Sequence, residues 1–523
     1  MLFSSGVFIF LFLPVALLGC QVVSRYGRDA SLVWLSITSL FFYGYWSPPF
    51  LLLLLGSIGM NFLFSQGLGE DRAENVRSGW LTVSIVANLL VLTYFKYLFP
   101  LLNFFHAHGV LGRGFQNVIL PLGISFFTFT QIAYLIDLRQ GIAKQQTIVP
   151  YTVFVTFFPH LIAGPIIHPR EMMPQLEGEG FRGLHADNMT LGLTWFGMGL
   201  AKKILIADRI SPLADVLFGH PAAAGFAGSW LGSVAYAMQL YFDFSGYSDM
   251  ALGLARMFNI EFPINFNSPY KASGIIDFWT RFHMTLTRYL TEYLYTPMLR
   301  WMRAQRTSRG LKSNMKAATT PRGFFDMVFV PSMYTMGIAG VWHGAGVKFL
   351  LFGLLHGMYL TINHAWRFLT PPGSRLHKAV PTAVMVVLTF VAVVVGLLFF
   401  RADSLHDALY VLGSMAGLHG WGGAFSANPW LAQMPPLAFF ERTSLGTGCA
   451  LAICFFLVWA CPNTQELLGQ LPANHAPLPS VAALRRWHPL TMPAEVRVVL
   501  CSLIVYFVLF LGEQPKAFLY FQF

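Results

Sequence analysis

The sequence predicts an all-α, polytopic integral membrane protein, on three observations. Hydrophobic residues make up 55% of the 523-residue chain and charged residues only 11%, where a soluble domain carries about a quarter charged. Mean hydropathy is +0.57. Apolar runs that span or nearly span a bilayer recur from end to end. A soluble globular enzyme, a disordered chain and a coiled coil all need more charge and are excluded. At about 20 residues per span the length suits one bundle of roughly a dozen transmembrane or re-entrant helices. The expectation is therefore a single membrane domain over 1–523. It divides into N-terminal helices in 1–110, a central segment 118–366 that holds the candidate chemistry, and C-terminal helices in 378–523.

The runs begin near residues 3, 31, 49, 80, 118, 150, 189, 228, 325, 346, 379, 446 and 495. The first lacks the basic segment that precedes a cleaved signal. Arg25 and Arg28 follow it, so its N-terminus is expected on the periplasmic or extracellular side. Trp46-Ser47-Pro48-Pro49 breaks the second and third runs into a hairpin, because proline cannot continue the helical ladder. The segment Gly67–Ser78, with Arg72 and Arg77, and the segment with Arg139 and Lys144 are expected to be cytoplasmic. Phe157–Pro165 holds two prolines around His160 and Gly164. Irregular backbone at membrane depth survives only when enclosed by protein or lining a wet cavity, so this stretch is expected in the interior. Segments 403–445 and 463–494 are more polar and read as extramembrane connections with short amphipathic helices.

The formal charge is +11. Arg300, Arg303, Arg306, Arg309, Lys312, Lys316 and Arg322 form one uninterrupted basic stretch. It reads as a cytoplasmic loop obeying the positive-inside rule, with docking to anionic lipid headgroups or an acidic acyl carrier as the functional alternative. Nucleic acid is not an expected partner, since aromatics do not interleave the basic residues. The five cysteines lie in or beside apolar runs without metal or disulfide spacing. No metal site and no bound cofactor are expected.

Candidate chemistry sits where polar residues interrupt apolar sequence at a cost in free energy. In Tyr241–Asp249, Asp249 has a structural explanation: Ser248 reads as an N-cap with the acid in the first helical turn. Asp243 precedes an expected break at Gly246 and is either a buried anchor or a functional acid. Asn267 and Ser268 follow within Asn265–Tyr270. Over Asp277–Thr287 the period is helical, which places Trp279, His283 and Thr287 on one face. His283 is either a satisfied core residue or part of a site. Gly340–Gly346 carries His343 between Trp342 and Gly344 where two spans meet, and glycine there permits bending and close approach of a substrate. On one continuous helix His343 and His356 would point apart, and His356 beside Gly357 reads as helix packing. Catalytic signatures such as G-x-S-x-G, HExxH or a P-loop are missing from the sequence. Histidine acid–base chemistry at membrane depth is what remains.

With these residues in hand, the chain resembles the membrane-bound O-acyltransferase (MBOAT) family, more narrowly its alginate O-acetylation branch, which is related to the D-alanyl transfer protein of teichoic acid. The resemblance runs through Pro121–Phe127, Phe157–Pro165, Tyr241–Met250, Asn265–Tyr270, Phe278–His283, Trp342–Gly344 and Phe399–Ala402. It implies the MBOAT fold, a ring of tilted helices around a central tunnel. The essential histidine of the family matches His343 and its second polar position matches His283. It implies a cell inner (plasma) membrane enzyme that passes an acetyl group from a cytoplasmic thioester, acetyl-CoA or an acyl carrier, to a secreted polysaccharide through a periplasmic acetyltransferase partner. Trp279, Trp342 and Tyr241 would wall the tunnel, with Asp243, Asn267, Ser268 and Thr287 beside it. Two departures from the family pattern matter: Trp-Arg-Arg-Trp-His-Ile-Ser-Leu-Ser reads here Trp279-Thr280-Arg281-Phe282-His283-Met284-Thr285-Leu286-Thr287, and the 300–322 loop is long and basic for the family, which leaves carrier docking there open. Transfer of D-alanine or another acyl group, and a transporter or flippase without chemistry, are the rival readings. The latter would call for paired inverted halves, and no internal repeat is visible.

Overall fold

The computed structural model describes residues 1–421 apart from 117, 315, 372–373 and 375–378, then 444–469, 502, 506 and 516–519. Among them are helices and connecting segments and no strand. Among the described residues, five helices are long and apolar enough to cross a membrane: Phe8–Tyr26, Pro48–Gln66, Glu74–Ala107, Pro321–His343 and Thr382–Arg401. The other expected spans up to residue 446 are also helical, but shorter or more polar. The span expected from residue 495, and most of 403–445 and 463–494, lie outside the described residues.

The chain divides into two compact units, one comprising 1–201, 244–264 and 483–523, the other 202–243 and 265–482. In the first, Arg28–Gly44 and Pro48–Gln66 flank the expected proline break. Residues 153–169 are buried without exception, as the interior reading requires. Their backbone kinks at Phe157 between Ile148–Thr156 and Phe158–Leu161. The amide after the kink, Phe158 N, donates to Ser39 Oγ at 3.2 Å, so the break costs no orphaned donor.

Tyr241–Asp249 corrects two expectations. No turn occurs at Gly246 and Ser248 caps nothing, because both lie inside one continuous helix, Phe226–Met257. The glycine serves packing instead. A Cβ on Gly199, in Ala186–Ala201, would stand 2.5 Å from the Gly246 carbonyl, and one on Gly253 would stand 2.5 Å from the Gly192 carbonyl. Asp249 is buried mid-helix and accepts from Trp195 Nε1 at 3.3 Å. Gly253→Val should therefore force two backbones apart. Overpacking of this kind costs about 1–3 kcal/mol, to be read as a lowered thermal midpoint in detergent.

In the second unit, Val330–His343 and Val347–Leu369 form an antiparallel hairpin turned at Gly346, whose φ is +136°. A Cβ on Gly353 would lie 2.1 Å from Met336 O, and one on Gly340 would lie 2.3 Å from Phe349 O. Only glycine lets these backbones meet. Thr382–Arg401 packs along Val347–Leu369. The basic stretch is not one loop, since Thr296–Ser308 is helical. Its Arg306 is buried, ion-paired with Asp326, and donates to Lys312 O at 3.0 Å. Arg300, Arg309, Lys312, Lys316 and Arg322 remain exposed.

Candidate active site

All the predicted site residues belong to the second unit. Asp277–Thr287 is not one helix. It breaks between Ile275–Trp279 and Met284–Leu290, with His283 at φ +47°, ψ +53°. The shared face expected for Trp279, His283 and Thr287 is therefore lost. A left-handed conformation at a non-glycine residue is strained and needs local compensation. Asn265 supplies it. Its Oδ1 accepts from Thr285 N at 3.2 Å and Thr285 Oγ1 at 2.9 Å, and lies 3.1 Å from His283 Nδ1. Its carbonyl accepts from Met284 N at 2.9 Å, while Asn267 N donates to Arg281 O at 2.9 Å.

This network also fixes the imidazole. The Thr285 amide is a donor, so the Asn265 atom facing it is the oxygen. An amide oxygen only accepts, so His283 Nδ1 carries the ring proton and Nε2 presents a lone pair. Asn265→Leu should lose about 1–3 kcal/mol, the cost of leaving buried donors unsatisfied. Asn265→Asp, which keeps the acceptor, should recover most of the thermal midpoint.

His343 ends its helix and is partly exposed. Its ring lies against Trp342 (4.7 Å between centroids), Phe400 (5.1 Å) and Phe352 (5.8 Å). Phe352 in turn touches His356 at 4.7 Å, and His356 meets Trp279 edge-on at 5.3 Å. The hairpin thus brings His343 and His356 to one phenyl ring, which a continuous helix would have prevented.

Of the remaining candidates, all but Thr287 are engaged structurally. Asn463 Nδ2 donates to Asn267 Oδ1 at 2.8 Å and Ser268 Oγ at 2.9 Å. Tyr241 is buried against Tyr270 and Phe266. Thr287 Oγ1 is buried with no hydrogen-bond partner among the described residues. Asp243 is ion-paired with Lys203 at 2.5 Å, and the same ammonium holds Asp208 at 2.8 Å. Asn265, Lys203, Asn463 and Phe352 were not among the expected site residues. Lys203, a cation in an apolar run, was the one with a sequence signal. A separate cavity of about 350 Å³, lined by residues such as Ile275, Tyr359, Asn363 and Trp366, is almost wholly apolar and holds none of the candidate side chains.

The sequence model of the family described as MBOAT, membrane-bound O-acyltransferase, matches residues 77–313. That segment includes His283 and stops short of His343. The chain is 38% identical to the peptidoglycan O-acetyltransferase of Helicobacter pylori, over 80% of each chain. It is 36% identical to the probable alginate O-acetylase AlgI of Pseudomonas aeruginosa, over 91% of this chain and 84% of that protein. The teichoic acid D-alanyltransferase of Bacillus subtilis is 27% identical over 56% of this chain and 71% of its own.

Proposed function

The chain belongs to the membrane-bound O-acyltransferase family, and from that premise we propose that it moves an acetyl group from a cytoplasmic thioester to a hydroxyl destined for a cell-envelope polysaccharide. It is a multi-pass membrane acyltransferase. Acetyl-CoA or an acetylated carrier is the proposed donor. The proposed setting is the cell inner membrane, with the N-terminus periplasmic and a periplasmic acetyltransferase taking the group onward. The relatives act, by name, on peptidoglycan and alginate, which supports O-acetyl transfer to a polymer of that kind.

His343 carries the proposal, as a partly exposed imidazole in an aromatic cup at a glycine-flanked helix end. Its neutral ring takes the proton of the acceptor hydroxyl as that oxygen bonds to the thioester carbonyl carbon. The carbon–sulfur bond then breaks, and the imidazolium returns the proton to the departing thiolate. The products are an ester, a free thiol and neutral His343. Trp342, Trp279 and Tyr241 exclude water that would hydrolyse the donor. Asp243 is given no chemical role, because Lys203 takes up its charge. His283 is not given the task of steadying the oxyanion: with its proton on Nδ1 it offers an acceptor, whereas an oxyanion needs donors. Orienting the donor is the role that fits it. The test supplies purified protein in lipid with acetyl-CoA labelled in the acetyl group and a glycan acceptor. Covalent label on the acceptor, lost in His343→Ala, supports the reading. Movement of acceptor across the bilayer without covalent label would replace it with the transporter.

A further inference from the structure

We infer that Trp279 and His356 form the oxyanion site of this enzyme, a pair of buried donors for the thioester carbonyl oxygen. The inference rests on the acyl-transfer reading above and gives that reaction an electrophilic partner, which His283 does not supply.

His356 is 1% exposed and Trp279 is 7% exposed. Neither His356 ring nitrogen, nor Trp279 Nε1, has a hydrogen-bond partner among the described residues. Buried polar atoms are nearly always satisfied by protein, water or ligand. Three such atoms on two rings 5.3 Å apart and crossed at 82° point to a ligand with its own hydrogen-bonding group. The ligand's chemistry follows from the protons. Indole N–H only donates. On the imidazole, Nε2 faces Gly396 so closely that a Cβ there would lie 2.6 Å away. A proton on Nε2 would point at carbon, whereas a lone pair there meets the glycine Cα–H, a weak but favourable contact. Nδ1 therefore carries the proton. Both rings then present donors, and the complementary group is an oxygen with lone pairs and no proton, such as an acyl carbonyl. As the acceptor oxygen attacks, negative charge gathers on that atom, and fixed donors in a dry site stabilise it most in the transition state. Phe352 touches both His343 and His356, so the proposed base and one of the two donors flank one phenyl ring, and Trp279 lies against that donor.

Trp279→Phe removes one donor and keeps a ring, and His356→Phe removes the other. Each is expected to lower kcat by about 10²–10³-fold, the loss seen when one oxyanion donor is removed, with KM for acetyl-CoA changed only a few-fold. His356→Asn, which retains an N–H, is expected to keep more activity than His356→Phe. A second measurement does not depend on turnover. With ¹³C-carbonyl acetyl-CoA bound to the non-reacting His343→Ala protein, the carbonyl infrared band is expected to shift to lower frequency. Adding Trp279→Phe or His356→Phe should abolish that shift. A band that stays shifted in both double variants, or a wild-type kcat in both single variants, overturns the inference while leaving acyl transfer intact. Failure of the acyl-transfer reading would instead appear as no label transfer by the wild-type protein.

Discussion

His343→Ala should reduce transfer of the acetyl label by about 10²–10⁴-fold, the range contributed by a positioned general base. That is roughly 3–5 kcal/mol of transition-state stabilisation at 1.36 kcal/mol per decade. The loss should be confined to chemistry. His343 closes its helix, is partly exposed, and meets Trp342, Phe400 and Phe352 through its ring. The hairpin is held by the close approach of Gly340 and Gly353 to the facing helix, and the alanine variant leaves both in place. Membrane level and thermal midpoint should therefore stay near wild type. Undiminished transfer in this variant would dismiss His343 as the base. His283→Ala should cost less in kcat and more in KM for the donor, as expected of a residue that orients the thioester.

Much of the architecture was legible because membranes impose a simple rule: backbone must satisfy itself, so apolar runs become helices. Run starts near 31, 49, 150, 228, 346 and 379 match helices Arg28–Gly44, Pro48–Gln66, Ile148–Thr156, Phe226–Met257, Val347–Leu369 and Thr382–Arg401. Where one residue type serves two purposes, the reading failed. Gly246 looks like a breaker in sequence, yet its partner, Gly199, is a helix away and 47 positions earlier. His283 fits the helical period of its neighbours, yet it adopts the left-handed conformation because Asn265, distant in sequence, satisfies the interrupted backbone. The local pattern gives His356 a packing role, because neither the approach of Trp279 from a distant segment nor the return of His343 to Phe352 at the Gly346 turn is written in the flanking residues. Local pattern carries the elements, while the meeting of Trp279, His343 and His356 is a product of tertiary structure.

The same limit governs Asp243, and the largest expected effect on stability lies there. Lys203→Met should destabilise the protein by about 3–5 kcal/mol, the cost of breaking a buried ion pair and stranding a charge. Lys203 and Asp243 have side chains only 2% and 3% exposed, while Asp208 is 16% exposed. One ammonium between two carboxylates leaves a net negative charge, and its removal sets the two acids against each other with little water to separate them. The lost free energy should appear as a fall in thermal midpoint and in membrane yield. Adding Asp243→Leu to Lys203→Met removes the more deeply buried of the stranded acids. Asp208, with the greater access to water, can keep its charge. The double variant should therefore be more stable than Lys203→Met alone, a non-additivity of the kind coupled neighbours produce. A functional acid at 243 predicts otherwise: the double variant would regain fold yet lose acyl transfer per folded molecule. Restored stability together with restored transfer identifies the pair as an anchor that joins Lys202–Ala207 to the middle of Phe226–Met257, where Tyr241 is also carried.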